Sequence, residues 1–528
     1  MTKESRGGGP NDMARLQQSP RHVQSWQQAQ QNLLQGRPAS ALTAYRSLVK
    51  QFPGAAQLWA ELALAAAGDL DFALADQATG RAAELAVGDA NLLVSIGQQY
   101  HRFRRLDEAT RCFEAAVAAD PASPHARLSL AAWHERNRRL NEAWDCVDQC
   151  LALHPRDARA LYYRAFLLHR EGRNGDAETA LRDLLKSDLG DADARFSATH
   201  LLGAVLDAVG NYGEAMQKLG EAKAMLRRMN DITGLERVYD AMAQARRDLL
   251  AGLTAEHLRR WREEAAPESP GPRLAFLGGP PRSGTTLIEQ ILGAHPQILV
   301  FDEAEAFAQE VLNPISPPPP ARGLTLKNLN ALPTDDRRRW ISRYFKSLQH
   351  EVRDEASGRL LVDKNPALTA SLHLWLRLLP RLKVIITLRD PRDVVISCYF
   401  QNLTLTAANA NFLSLERAAR FYADCMDVWL RLRDLGGFDW IETRYEDVVS
   451  RLEEEGRRLT AFLELPWDAA QAAFHESARR KFVFAPTYSD VAKPVHAGAV
   501  GRWQHYAKAL APIQRRLEPY IKAFHYHS

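Results

Sequence analysis

Cysteine is scarce in this sequence, and no two cysteines form a CxxC pair. The 528 residues contain only five, namely Cys112, Cys146, Cys150, Cys398 and Cys425. A disulfide framework or a cysteine-based zinc site needs more thiols at regular spacings. We therefore expect reduced thiols and no metal centre.

A charge excess of one sign and long apolar runs are also absent. The net charge of +4 comes from 68 basic and 64 acidic residues, which argues against a dedicated nucleic-acid binder but permits a local basic pocket. No stretch approaches the roughly 18 apolar residues of a membrane span. The first residues, MTKESRGGGPNDMARLQQSP, lack the apolar core of a secretory signal. The sequence therefore predicts a cytoplasmic protein with a disordered segment at residues 1–21.

The N-terminal half instead shows a period of 34 residues. Alanine recurs at this spacing, at Ala41, Ala75, Ala109, Ala143 and Ala177. Each unit has the pattern of two amphipathic helices joined by a short polar turn, with a small residue where the helices approach each other. One helix pair cannot bury its apolar face alone, so neighbouring units must stack. A sixth unit, centred on Ala215, is displaced by four residues.

This pattern resembles the tetratricopeptide repeat. We predict an all-α solenoid with capping helices over residues 22–262, followed by a linker at 263–272, where EEAAPESPGP interrupts the helical pattern. Two functions are open for the repeats: a stabilising superhelix without a ligand, or a groove that binds a peptide or protein partner.

From Arg273 onward the pattern alternates between strands and helices. RLAFLGG predicts a buried strand, PPRSG a tight loop, and TTLIEQILGAHP a helix. A second strand-to-helix turn is predicted at KVIITLRDPRDVVIS. Residues 273–528 therefore predict an α/β domain with a parallel sheet. Ligands bind at the carboxyl ends of such strands, where we expect Arg282, Lys364 and Arg389 to lie.

The first loop is P-loop-like, because Gly279 and Gly284 have the GxxxxG spacing of a phosphate-binding loop. The lysine that follows in a kinase or ATPase is replaced by Thr285, which argues against those two functions. Backbone N–H groups and the helix dipole favour an anion at such a turn. Two basic strand ends, each followed by hydroxyl side chains, predict a ligand with two separate anionic groups.

The segments PPRSGTTLIEQILGAHPQI and LRDPRDVVISCYF resemble the two nucleotide-binding segments of sulfotransferases that use 3′-phosphoadenosine 5′-phosphosulfate (PAPS). The likeness is closest to the tyrosylprotein sulfotransferases and to bacterial sulfotransferases fused to tetratricopeptide repeats. It implies that the first segment holds the 5′-phosphosulfate and the second the 3′-phosphate, with no metal required. The implied nucleotide-binding residues are Arg282, Ser283, Gly284, Thr285, Thr286, Arg389, Ser397, Tyr445, Thr487, Lys493 and Arg502.

The resemblance places the catalytic base at Glu303, 21 residues after Arg282, with Asp302 and Glu305 as alternatives. A tyrosine phenol has a pKa of about 10, so a nearby carboxylate must accept its proton as the new S–O bond forms. Lys364 and Arg282 would neutralise the charge that develops on the leaving group.

The function implied is transfer of a sulfuryl group from PAPS to an acceptor hydroxyl, with a protein tyrosine as the favoured acceptor. The repeats would then present the substrate protein and raise its local concentration. A small molecule, lipid or glycan acceptor is an alternative, and so is a catalytically inactive repeat scaffold. The sequence leaves the oligomeric state open, with a homodimer as one candidate.

Overall fold

The computed structural model describes residues 11–187, 190–265, 273–316, 324–352, 358–402, 404–476, 482 and 495–527. By its internal contacts the chain divides into two units, Met1–Val209 and Gly210–Ser528.

The first unit consists of paired helices built on the 34-residue period. They are α1 Asn11–Gln17, α2 Pro20–Leu34, α3 Pro38–Gln51, α4 Ala56–Gly68, α5 Phe72–Leu85, α6 Ala90–Arg102, α7 Leu106–Ala119, α8 Pro124–Arg136, α9 Leu140–Leu153, α10 Ala158–Arg170, α11 Asn174–Lys186 and α12 Ala192–Ala208. The five periodic alanines lie on α3, α5, α7, α9 and α11 and are fully buried. The tetratricopeptide-like helical region is thus confirmed.

The turn inside each helix pair has one residue in the left-handed region, also at the 34-residue period. These residues are Gly36, Leu70, Arg104, Arg138 and Gly172, with φ between 57° and 79°. The residue after each one donates its N–H to the carbonyl five positions earlier, as Arg105 does to Tyr100 (2.8 Å). This Schellman closure ends the first helix and reverses the chain.

Helix α1 lies inside the segment that was expected to be disordered. Its Leu16 is fully buried, and its Asp12 accepts a hydrogen bond from the Gly54 N–H (2.8 Å). The burial of Leu16 in the core of the first repeat and the hydrogen bond of Asp12 thus fasten this short helix.

The second unit begins with α13 Tyr212–Met229, α14 Ile232–Gly252 and α15 Ala255–Glu264. Its five strands are β1 Leu274–Gly278, β2 Ile298–Asp302, β3 Leu360–Lys364, β4 Lys383–Leu388 and β5 Asp439–Arg444. Its other helices are α16 Thr285–Gly293, α17 Asn313–Ile315, α18 Leu326–Asn330, α19 Thr334–Val352, α20 Leu372–Leu378, α21 Pro391–Tyr399, α22 Leu415–Leu435, α23 Tyr445–Ser450, α24 Leu452–Phe462, α25 Ala507–Leu510 and α26 Gln514–Ala523.

The strands form one parallel sheet in the order β2-β3-β1-β4-β5. The predicted α/β class is therefore confirmed, and the two strands predicted from RLAFLGG and KVIITL are β1 and β4. After β1 the chain continues to β2 at one edge of the sheet, and after β4 it continues to β5 at the opposite edge. This switch point opens a crevice at the carboxyl ends of β1 and β4, where ligands bind in such folds.

Helices α13 to α15 pack within the second unit. Trp261 of α15 is fully buried, and the Arg377 guanidinium lies 5.5 Å from its ring centroid while donating to Glu264 (2.7 Å). Arg247 of α14 forms an ion pair with Asp424 at 2.7 Å. The boundary between the two contact units, after Val209, thus differs from the predicted domain limits at residues 262 and 273. Those limits concern where the repeat-like sequence ends, and they stay a prediction.

Every helix in the described part of the chain is too short or too polar to cross a membrane.

We predict that Ala109→Leu destabilises the repeat unit by about 1–3 kcal/mol, the usual cost of overpacking a core. The two helices of this pair are in close contact, because a Cβ added at Gly97 of α6 would lie 3.1 Å from Phe113 Cε1 of α7. Ala118→Leu, at an exposed position of the same helix, is the matched control. Urea unfolding followed by circular dichroism measures both, and equal stability of the two variants would contradict the close packing.

Candidate active site

The predicted functional residues lie at one edge of the sheet, where the strands end. The glycine loop follows β1, and β2 and β3 end at Asp302 and Lys364. Arg389 and Tyr445 directly follow β4 and β5. Parallel pairing brings all these ends to one side, so residues far apart in sequence meet there.

Two threonines fix the start of the glycine loop. Thr369 Oγ1 accepts the Gly279 N–H (2.8 Å) and donates to the Gly279 carbonyl (2.9 Å). Thr387 Oγ1 donates to the Gly278 carbonyl (2.8 Å) and lies 2.8 Å from Ser283 Oγ. Because the single proton of Thr387 is used on Gly278, Ser283 is the donor to Thr387. The hydroxyl of Ser283 therefore fastens the loop to β4.

The backbone of the loop turns in the left-handed region twice. Gly284 has φ 101°, and an added Cβ there would lie 2.6 Å from Tyr445 Cδ2, so only glycine fits. Arg282 has φ 72°, a conformation that costs a residue with a Cβ roughly 1–2 kcal/mol. Such strain persists where the surrounding structure enforces it, often at functional sites.

The first turn of α16 presents open donors. No side chain caps this helix at Gly284. Within the described residues, the hydroxyls of Thr285 and Thr286 have no hydrogen-bond partner. Unpaired N–H groups at a helix N-terminus together with free hydroxyls favour an anion.

Arg389 joins the two predicted anion-binding turns. Its Nη1 donates to the Arg282 carbonyl (3.1 Å), and Arg282 Nε donates to Ser397 Oγ on α21 (3.0 Å). The Tyr445 ring, which also packs on Gly284, lies 4.9 Å from the Arg389 guanidinium carbon. The Nε of Arg389 is buried without a hydrogen-bond partner in the described part of the chain. A buried guanidinium N–H without an acceptor is a position that an anionic ligand oxygen fits.

Arg502 is held close to this group by Asp393. The two carboxylate oxygens of Asp393 accept the N–H groups of Gly501 (2.8 Å) and Trp503 (2.7 Å). The same carboxylate lies 3.8 Å from Arg389 Nη2. The Arg502 guanidinium packs 4.2 Å from the ring centroid of Phe400. The turn that contains Arg502 is thus fastened to the start of α21.

A buried ammonium group lies at the other side of the loop. Lys364 Nζ is fully buried and lies 2.5 Å from Asp302, 3.0 Å from Glu303 and 3.6 Å from Glu289 of α16. The backbone also ties this group to the sheet edge, because the Glu303 N–H donates to the Lys364 carbonyl (2.9 Å). Glu303 has φ 52°, so it shares the left-handed conformation of Arg282.

Three carboxylates around one ammonium leave an excess of negative charge. Burial lowers the pKa of Lys364, but Asp302, Glu289 and Glu303 outweigh burial and raise it above its usual value. Burial, together with the charge of Asp302, raises the pKa of Glu289 to about 8. Glu289 therefore holds a proton at neutral pH, and Lys364 stays charged.

The three candidate bases differ in exposure. Asp302 is buried against Lys364. Glu303 keeps 43% of its side-chain surface exposed while touching Lys364. Glu305 is exposed and accepts a hydrogen bond from Gln309. Glu303 alone among these three combines an accessible carboxylate with contact to the buried ammonium.

The structure brings together most of the predicted site residues in two adjoining groups. Around the loop and α21 it places Arg282, Ser283, Gly284, Thr285, Thr286, Arg389, Ser397, Tyr445 and Arg502, and at the ends of β2 and β3 it places Glu303 and Lys364. Thr487 and Lys493 lie outside the described residues. No cluster of three or more His, Cys, Asp or Glu side chains suited to a metal ion occurs in the residues that the structure describes.

Sequence reasoning missed the residues that hold the site in place. These are Glu289, Thr369, Thr387 and Asp393. One signal was available for Glu289, which is the single charged residue in the TTLIEQILG segment. The threonine contacts depend on which strands are neighbours, and local sequence does not give that order.

Residues 273–469 match the sulfotransferase family. The second unit thus contains a sulfotransferase-family domain.

Curated relatives of the chain include tyrosylprotein sulfotransferases. Protein-tyrosine sulfotransferase A of Caenorhabditis elegans is 27% identical over 254 residues, 43% of this chain and 60% of that protein. An uncharacterized protein of Aquifex aeolicus (strain VF5) is 27% identical over 344 residues, 65% of this chain and 44% of its own length. The chain therefore spans about half the length of these relatives.

Among solved structures, the sulfotransferase domain from the Synechococcus PCC 7002 olefin synthase is 19% identical. The structural match covers 45% of this chain and 88% of that domain, at a TM-score of 0.30.

We predict that Glu289 makes the free energy of unfolding decrease as the pH rises. Its pKa is raised to about 8 in the folded chain, above about 4.3 in the unfolded chain. Its stabilising contribution is therefore complete below about pH 4 and is lost as the pH rises through about 8. Relative to Glu289→Gln, the natural protein should lose on the order of 3–4 kcal/mol between about pH 5 and 8.

Urea unfolding of both proteins at several pH values measures this difference. Glu305→Gln, which removes an exposed carboxylate nearby, should show the same pH profile as the natural protein. A Glu289→Gln profile parallel to that of the natural protein would show that Glu289 is already ionised when folded.

Proposed function

We propose that this protein transfers a sulfuryl group from PAPS to an acceptor hydroxyl, and that the acceptor is a tyrosine of a protein. One observation carries the proposal: two turns, joined through Arg389 and Arg282, adjoin an accessible carboxylate paired with a buried ammonium. The first part suits a nucleotide with two anionic groups, and the second suits proton removal from a hydroxyl.

The residues that would hold the nucleotide fall into two sets. At the first turn, the N–H groups of α16 and the hydroxyls of Thr285 and Thr286 would donate to the 5′-phosphosulfate. At the second turn, Arg389 and Ser397 would bind the 3′-phosphate, for which the unpaired Nε of Arg389 supplies a donor. Ser283 contributes by fixing the loop through Thr387.

The bound nucleotide supplies a sulfuryl group on a good leaving group. Glu303 would accept the proton of the acceptor hydroxyl, while the charges of Lys364 and Arg282 stabilise the leaving phosphate oxygen. Lys364 suits this role because its surroundings keep it protonated. Its contact with Glu303 also positions that carboxylate at the sheet edge (3.0 Å).

A protein tyrosine is favoured as acceptor because curated relatives bear the name protein-tyrosine sulfotransferase. In this proposal the helical repeats bind the substrate protein and raise its concentration near the site. A small molecule, lipid or glycan acceptor would use the same nucleotide site. An inactive scaffold is the remaining alternative, and it would bind no nucleotide.

Calorimetric titration with adenosine 3′,5′-bisphosphate tests the nucleotide site. We expect binding by the natural protein, and a loss of at least tenfold in affinity for Arg389→Ala, since a charge-assisted hydrogen bond is removed. Arg381→Ala is the matched control, because Arg381 is exposed and precedes the same strand at its opposite end. Absence of binding by the natural protein would reject the proposal in favour of the scaffold.

Transfer of radiolabelled sulfate from PAPS to tyrosine peptides, phenols, glycans and lipids tests the acceptor. We predict that Glu303→Gln lowers the turnover rate by about 10²–10⁴-fold, the contribution of a general base, while nucleotide affinity is kept. Glu305→Gln should remain active, because that carboxylate contacts Gln309 instead of Lys364. Full activity of Glu303→Gln together with an inactive Asp302→Asn would assign the base to Asp302.

A further inference from the structure

Lys223 on helix α13 is a buried cation that the family match at 273–469 does not include. Its side chain is buried, and its Nζ donates to the Gln401 carbonyl at 2.7 Å. The ammonium also lies 5.7 Å from the ring centroid of Tyr399. Within the described residues, no carboxylate pairs with it. Burial accordingly lowers the pKa of Lys223 to about 8.

The contact places Lys223 beside the second anion-binding turn. Gln401 Nε2 donates to the Ser397 carbonyl (3.2 Å), and Ser397 Oγ accepts from Arg282. Gln401 follows Ser397 by four residues and lies just past the end of α21 at Tyr399. Lys223 is thus linked to Ser397 through one residue, Gln401.

The buried Cys398 thiol on α21 experiences the charges of three basic residues. Burial raises the pKa of Cys398 on α21, and Arg282, Arg389 and Lys223 all oppose that rise. Three positive charges from three separate elements therefore act on one residue of this helix.

We propose that Lys223 is a binding residue for the second phosphate of the nucleotide, an inference that rests on the proposed function. A phosphate monoester carries a charge of about −1.5 to −2 at neutral pH. Of the two arginines at this turn, Arg389 is partly neutralised by Asp393, 3.8 Å away. Lys223 supplies a further positive charge, and its long flexible side chain can move from the Gln401 carbonyl toward the ligand.

The competing role for Lys223 is purely structural. A cation near the end of α21 also satisfies a terminal carbonyl and the helix dipole. Gly220, one turn earlier on α13, lies on the same face, and a Cβ added there would lie 3.8 Å from the Tyr399 hydroxyl. The packing of α13 against the end of α21 serves both roles, so only a ligand-dependent measurement separates them.

The test compares two nucleotides that differ only in the second phosphate. Full-length protein is titrated with adenosine 3′,5′-bisphosphate and with adenosine 5′-phosphate. We expect K223Q to bind the bisphosphate roughly tenfold more weakly, since a charged hydrogen bond is lost, and to bind the monophosphate unchanged. K223R should keep most of the affinity, because the charge remains.

Matched controls remove effects of folding and of general charge. K218Q removes a lysine of the same helix that already pairs with Glu221 (2.8 Å), and it should bind both nucleotides normally. K223M keeps the apolar stem in the core and is measured beside K223Q in case the glutamine variant does not fold. Melting temperatures are recorded for every variant without ligand.

Three outcomes are distinguishable. A selective loss for the bisphosphate in K223Q or K223M supports the proposal. If the natural protein prefers the bisphosphate and both variants keep that preference, Lys223 is a structural cap and the proposed function stands. If the natural protein does not discriminate between the two nucleotides, the second-phosphate site fails, and the inference about Lys223 fails with it.

Discussion

The candidate site depends on the buried ammonium of Lys364. Removing one charge from water is costly unless partners surround it, and here three carboxylates from β2, the loop after it and α16 provide them. The same charge therefore holds two strands and the glycine-loop helix together. Because Glu303 is the accessible member of this group, the packing of the sheet edge and the proposed proton transfer share one interaction.

Periodicity and strand-end chemistry made much of this molecule predictable. The 34-residue period gave the helix pairs, since equal spacing of small residues requires equal packing units. Short apolar runs next to Gly-Gly and Arg-Asp gave β1 and β4, and with them the positions of Arg282 and Arg389. These features are encoded locally, within one or two elements.

Residues whose roles depend on tertiary neighbours were not predictable. Thr369 and Thr387 fix the glycine loop only because β3 and β4 flank β1, and no local pattern gives that strand order. Lys223 lies 178 residues from its partner Gln401, on a helix that reads as the end of the repeats. Helix α1 was missed for a similar reason, since a buried Leu16 overrides a polar, glycine-rich composition.

Seven described residues other than glycine have left-handed backbone, and five of them fall in two settings. At Leu70, Arg104 and Arg138 it closes repeat turns that elsewhere use glycine, whereas at Arg282 and Glu303 it aims a charged group into the sheet edge. Replacement by glycine would relieve backbone strain at all five positions, but at Arg282 and Glu303 it would also delete the group proposed to act in the reaction. Among these five positions, only at Arg282 and Glu303 does the change that would relieve backbone strain also remove a side chain that the proposed reaction needs.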